Sequence, residues 1–453
     1  LLENLTQRIE RRNLLSELAK SPAARDGHEA DHGPKWSMIG GVVTMVCNAA
    51  TIPVLYFVLD KGTFAEWATA LACLNLWCFP ESARNLLITS GYHDVGRNQG
   101  VLTCKFVAVA GVCALATLLL HVLGLPRNGS ITEMMELLAP LLILALAIPL
   151  RFRVAEFRGR LQASGKWRLH ALLTSGLNLL LSVCVIATAY LTRNVKAIAA
   201  AYALVLFVQA RIYAWMAGGE PPPVAEFKGP AGTTSFAGAM ALALGPLLFS
   251  QGDKIGLRFV LSEAQLAEYA FYVAIAGQIN VVGALPCIPL AAWFRQAPEK
   301  RDRLLRMAQY WNIILVVISM LGVLAGFFLI KALFPDVAYS KLSGALLFCA
   351  VSIYGLLSLN APAYFLLIGQ GEYRLVGWGN LLIAGLSLGA ILLLGSIYGI
   401  YGAVMGNIIF GFTVLWGILA HRRTGGEKTG WLLGGFAALC MMLLSFLSLY
   451  ISR

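Results

Sequence analysis

Apolar residues run in long blocks along this chain, interrupted by short polar clusters. Stretches long enough to cross a bilayer, which needs about 20 residues each, fall at roughly 36–59, 65–89, 99–124, 134–153, 168–191, 196–217, 234–258, 265–293, 305–333, 340–368, 374–397, 400–420 and 430–450. Strand-like alternation over short segments, the signature of a membrane barrel, is absent. Lipid leaves helices as the remaining option, because every backbone polar group must be satisfied inside its own segment. The pattern predicts about thirteen transmembrane helices and an all-α polytopic membrane protein.

Composition agrees. Of 453 residues 58% are hydrophobic and only 13% charged, about half the charged share of a soluble domain (~25%). The mean hydropathy is +0.72. A soluble enzyme is excluded at this point. The formal charge is +12, from 35 Lys and Arg against 23 Asp and Glu. No soluble stretch is long enough to gather those cations into a nucleic-acid surface, so no nucleic-acid partner is expected.

The cations report topology instead. The connection after the fourth helix carries Arg151, Arg153, Arg158, Arg160, Lys166 and Arg168 against the single acid Glu156. Arg295, Lys300, Arg301, Arg303 and Arg306 follow the eighth helix, and Arg422, Arg423 and Lys428 follow the twelfth. Alternate connections are poor in charge, which predicts a cytoplasmic N-terminus. Residues 1–34 read as a cytoplasmic or interfacial segment, with Leu2, Leu5 and Ile9 at helical spacing beside Arg8, Arg11 and Arg12. Residues 218–233, with Pro221, Pro222 and Pro223, read as a linker.

The chain repeats itself across that linker. FAEWA at 64–68 answers LAEYA at 266–270, an offset of 202. GKWRL at 165–169 answers GEYRL at 371–375, offset 206, and the small-residue runs at 197–207 and 402–412 align at 205. Three matches in one order predict two six-helix lobes, 36–217 and 234–421, with an extra C-terminal helix at 430–451. An even number of crossings per lobe makes the repeats parallel, related by a pseudo-twofold axis along the membrane normal. Two such lobes with a cleft between them form the geometry of an alternating-access transporter.

Polar residues inside membrane spans are costly and mark candidate sites. In the first helix of each lobe these are Asn48 and the cluster Gln251, Asp253, Lys254 and Arg258; in the second, Asn75, Glu81 and Arg84, then Gln278 and Asn280. Lys254 and Arg258 are four residues apart and share a helix face, where two cations would suit a diphosphate. Asp253 and Lys254 point about 100° apart on an α-helix and are not an i,i+4 pair. Arg84 lies three residues from Glu81, a spacing that allows pairing. Arg151 and Arg153 read as topology-setting residues. Asn178, Gln209, Asn312, Asn360, Asn380 and Asn407 read as interhelical hydrogen-bonding residues. The nine cysteines lie in apolar runs without metal spacing, the six histidines form no metal-ligand pairs, and no phosphate-binding Gly-rich loop occurs. A non-enzyme without cofactor or metal is expected.

With SQGDKIGLRFVLSEAQLAEYAFYVAIA at 250–276 and IGQGEYRLVGWGN at 368–380 leading to GIYGAVMGNIIFG at 399–411, the chain resembles the polysaccharide-transporter branch of the MOP exporter superfamily. That superfamily also contains lipid II flippases and MATE drug antiporters. The resemblance implies a bacterial inner-membrane flippase for a polyprenyl-diphosphate-linked oligosaccharide, a precursor of exopolysaccharide, capsule or O-antigen. Its partners would be that lipid-linked substrate, membrane lipids and other polysaccharide assembly proteins. On this reading Arg84, Lys254 and Arg258 contact diphosphate. Asn48, Gln251 and Gln278 meet sugar hydroxyls, and Asp253 or Glu81 couples to an ion. The alternatives are a MATE-type cation-coupled exporter of small molecules and a non-transporting scaffold of a polysaccharide synthase complex.

Overall fold

A computed structural model describes residues 33–81, 99–123, 131–163, 166–216, 236–284, 287, 301–333 and 343–424. Nearly all of the segment 1–34, the linker 218–233, Arg84 and the helix expected at 430–451 lie outside these residues. In chain order the helices are α1 (Gly33–Val58), α2 (Lys61–Trp77), α3 (Gln99–Leu123), α4 (Ile131–Leu146), α5 (Ile148–Ala163), α6 (Trp167–Thr192) and α7 (Val195–Met216). Then come α8 (Phe236–Leu247), a π-helical turn (Leu248–Gly252), α9 (Asp253–Leu257), α10 (Glu263–Ala284) and α11 (Arg301–Leu333). The chain continues through α12 (Gly344–Ser358), α13 (Ala361–Gly369), α14 (Tyr373–Gly406), a 3-10 turn (Asn407–Val414) and α15 (Leu415–Thr424).

Seven stretches among the described residues are long and apolar enough to cross a membrane, among them Arg168–Thr192, Leu305–Leu329 and Gly344–Gly369. Their outer faces carry exposed Leu179, Val183, Leu204, Phe207, Ile318, Leu321, Leu382 and Leu386, a surface that only lipid can cover without cost. The fold is that of an all-α polytopic membrane protein.

The apolar run 373–417 is too long for one crossing and reverses at Gly399. There φ is 61° and ψ −143°, a region essentially restricted to glycine. Past the turn Gly402 packs so closely on the Leu394 carbonyl, and Gly406 on the Ile391 backbone, that a Cβ at either would overlap it. This places the helix break where the sequence predicts it. Gly402→Val is expected to abolish folding of the hairpin, read as loss of the monodisperse peak of the detergent-solubilised protein. Gly111→Val, where nothing lies within 4 Å of the added Cβ, should leave that peak intact.

Helices α1–α7 pack mainly on one another, through α1 against α6 and α7 against α4, α5 and α6. Helices α8–α15 do the same, through α8 against α14 and α10 against α11 and α12. The two groups meet where α1 and α2 lie against α10, α9 and the π-turn. Two of the seam helices, α2 and α10, begin with a built cap. Asp60 accepts from the Thr63 N–H (2.9 Å) and hydroxyl (2.5 Å) at the start of α2. Ser262 accepts from the Gln265 N–H at the start of α10, and the Gln265 side chain accepts in return from the Ser262 N–H, a capping box. The two Thr63 hydrogen bonds hold the Asp60 carboxyl below its ordinary pKa. Asp60 and Ser262 are themselves 202 residues apart, the offset of the repeat.

The asparagines and the glutamine expected between helices are found there. Asn178 donates to the Thr44 hydroxyl and Gln209 to the Leu177 carbonyl. Asn312 donates to the Gly283 and Ser358 carbonyls, and Asn360 to the Thr413 hydroxyl. Asn380 accepts from the Trp416 indole.

Candidate functional site

Among the described residues the buried charged side chains are Asp253, with no exposed surface, and Lys254, 7% exposed. Local sequence explains where they sit. Pro246 lacks the N–H that would bond one turn back, which loosens the helix, and the chain widens into the π-turn two residues later. Such turns re-aim the residues that follow them. The Asp253 carboxylate accepts from the Tyr269 hydroxyl at 2.7 Å and from the Lys254 backbone N–H at 2.7 Å. The Lys254 ammonium lies 3.4 Å from the same carboxylate and donates to the Ser250 carbonyl. The two neighbours pair after all, the lysine stem folding back so that its ammonium reaches the Ser250 carbonyl one turn earlier.

Asn407, at the start of the 3-10 turn, extends the network by donating to the Tyr269 oxygen at 3.1 Å. The Tyr354 hydroxyl on α12 lies within electrostatic range of Asp253 without a hydrogen bond to the network. Two acceptors here have no hydrogen-bond partner, the Asn407 Oδ1 and the Tyr354 hydroxyl. Phe249 stacks on Phe410, ring centroids 3.8 Å apart, and lies 5.8 Å from the Tyr354 ring, walling one side.

The repeat supplies a comparison within the chain. Tyr269 corresponds to Trp67 at offset 202 and Asn407 to Tyr202 at offset 205. Trp67 and Tyr202 also touch, edge to face at 6.0 Å. One helix contact is therefore built twice, with aromatic rings in the N-terminal group and with a hydroxyl–amide bond beside a carboxylate in the C-terminal group.

A second charged cluster lies in the N-terminal group. Arg151 donates to Asn75 Oδ1 at 2.7 Å and sits 3.6 Å from the Glu81 carboxylate. Its side chain stays about a quarter exposed, and a guanidinium has five N–H donors to share. Arg151, expected to set topology, is also a partner of Glu81, a pairing that the spacing allows for Arg84.

At the seam the Lys61 ammonium meets Glu268 at 2.6 Å and the Tyr56 ring stacks on Phe271 at 4.3 Å. Gly62 approaches so closely that a Cβ would lie 2.8 Å from the Glu263 carboxylate. Exchanging the groups by the 202 offset turns the pair Lys61–Glu268 into Glu263–Glu66. Those two carboxylates do face each other electrostatically, with Arg258 and Lys196 also acting on Glu66. The interface is thus near-symmetric in position, as a twofold contact requires, with a direct ion pair on one side and, on the other, two carboxylates within electrostatic range of each other beside Arg258 and Lys196.

The remaining predicted residues are dispersed. Arg258 faces Glu66 while Lys254 faces Asp253, so the two cations do not share one seat. Gln251 is half-buried and Asn48 exposed. Gln278 donates to the Ala274 carbonyl, and its Oε1 has no hydrogen-bond partner.

By sequence, no family model matches the chain and no curated protein is similar enough to align with it. Solved structures are similar. Lipid II flippase MurJ in an inward closed conformation matches with a TM-score of 0.58 at 12% identity, over 93% of this chain and 99% of its own. An outward-facing multidrug resistance MATE transporter of the MOP superfamily matches at 0.52 and 16%, over 91% and 96%. The chain has the MOP fold. A MOP superfamily transporter from Pyrococcus furiosus, described as having a binding pocket of reversed polarity, also matches at 0.52 and 17%, over 88% and 96%. Within this MOP fold the sequence pointed to Asp253 and Lys254 but not to Tyr269, Tyr354 or Arg151. The replacement of the aromatic pair Trp67–Tyr202 by Tyr269–Asn407 was the legible signal for the first of these.

Proposed function

We propose that this chain is a flippase that moves a polyprenyl-diphosphate-linked oligosaccharide across the bacterial inner membrane by alternating access. The observation that favours this substrate over a small organic cation is the state of the interior acids. Among the described residues Asp253 already holds Lys254, and Glu81 already holds Arg151. A cationic drug finds each carboxylate already beside a cation, whereas an anionic headgroup finds Arg151, about a quarter exposed and with guanidinium N–H donors beyond the one given to Asn75, and the partly exposed Arg258.

Under the orientation expected from the charged connections, the Arg151 end opens to the cytoplasm and the Lys61 end to the outside. The diphosphate then enters against Arg151, with Arg84 three residues from its partner Glu81 in sequence, and leaves past Arg258 once the seam parts. Fixed cations in a low-dielectric cleft bind phosphate strongly. Gln278, with its free Oε1, and Gln251 and Asn48 serve the sugar hydroxyls. Lys254 is a weaker candidate for phosphate contact than the sequence suggested, because the anion that a buried ammonium needs is supplied by Asp253.

The test is translocation in proteoliposomes. A fluorescent polyprenyl-diphosphate oligosaccharide in the inner leaflet should become accessible to a membrane-impermeant quencher when the protein is present, and stay protected in protein-free vesicles. Protection unchanged by the protein, together with uptake of a fluorescent organic cation, would replace this reading with a MATE-type exporter.

A further inference from the structure

The cluster around Asp253 has more oxygen than its own hydrogen bonds use. The Asp253 carboxylate and the Ser250 carbonyl hold the Lys254 ammonium, Asn407 is joined to the same carboxylate through Tyr269, and the Tyr354 hydroxyl lies within electrostatic range of it; the Asn407 Oδ1 and the Tyr354 hydroxyl have no hydrogen-bond partner. A set of one carboxylate with neutral carbonyl and hydroxyl oxygens is the chemistry that hard cations take. The helix contact does not demand it, since the repeat-related contact in the N-terminal group is made edge to face by the Trp67 and Tyr202 rings. A buried ion pair is also a poor way to gain stability, because apolar residues of similar volume do as well or better.

We propose that the C-terminal group contains a monovalent-cation seat whose occupant is the Lys254 ammonium group of the chain itself. The amine is tethered to the helix that carries the seat, so the positive charge is present without a bound ion. The wild-type protein therefore takes no Na+ there, and removing the amine while keeping the carboxylate opens the seat to Na+. The inference concerns the seat and not the transported substrate, so it stands or falls apart from the lipid-linked reading.

Thermal unfolding of the full-length protein in detergent tests it, in NaCl, KCl and choline chloride at equal ionic strength. Wild type should unfold at one temperature in all three salts. Lys254→Ala should be stabilised by NaCl over choline in a saturable way, by on the order of a few degrees at high occupancy, and Asp253→Asn/Lys254→Ala should lose the response. Lys254→Gln provides a second amine-free variant. If neither single variant survives purification in choline, recovery of folded protein by NaCl supports the seat and failure of NaCl to recover it counts against it. A wild-type response to NaCl equal to that of the variants would overturn the proposal, as would a flat response in both Lys254→Ala and Lys254→Gln.

Discussion

Asp253→Ala is expected to destabilise the protein by about 3–5 kcal/mol, the cost of breaking a buried ion pair from one side. The substitution removes an acceptor from the Tyr269 hydroxyl and from the Lys254 N–H. Its larger effect is to leave the Lys254 ammonium buried with only the Ser250 carbonyl. A double variant, Asp253→Leu with Lys254→Met, should recover most of the loss, since both charges leave together and comparable volume replaces them. Thermal unfolding followed by intrinsic fluorescence checks this, with the double variant above the single one. A single variant as stable as wild type would mean that the pair is not formed.

Lys61→Glu is the second large effect, and it acts on conformation. The pair Lys61–Glu268 is partly exposed, and such pairs contribute only about 0–1 kcal/mol to stability. Reversing the charge replaces attraction by repulsion, so that both repeat-related positions of the seam would carry facing carboxylates. A change of about 1–2 kcal/mol is a roughly 5- to 30-fold shift in a two-state equilibrium, enough to favour separation at this end. Ala267→Cys, fully buried in α10 beside Glu268, should then react faster with an impermeant maleimide added outside cells. Adding Glu268→Lys should restore protection. Unchanged reactivity in Lys61→Glu would show that this contact does not hold the seam.

The helices were legible because lipid imposes long apolar runs, and the reversal at Gly399 because an uncharged glycine turn divides one of them. The interhelical roles of Asn178, Asn312 and Asn380 followed from the cost of an unpaired amide in lipid. What one sequence could not reveal depended on helix phase. The orientation of Asp253 and Lys254 follows the π-turn, which shifts the face presented after Gly252. Arg151 sits in a basic stretch whose loop cations mask an interior one. The seam pairs join residues 207 apart, Lys61 and Glu268, and emerge only once the repeat offset is combined with the packing of α2 on α10.

On the proposed function, the two helix groups part at the Lys61 end when lipid-linked substrate is moved. Electron–electron distance measurement between spin labels at Arg193→Cys and Phe259→Cys, both exposed positions on opposite sides of that end, tests it most directly. A short distance is expected in the protein alone and a second, longer population on adding polyprenyl-diphosphate oligosaccharide, already enriched in Lys61→Glu without substrate. One unchanged distance under all of these conditions would contradict it.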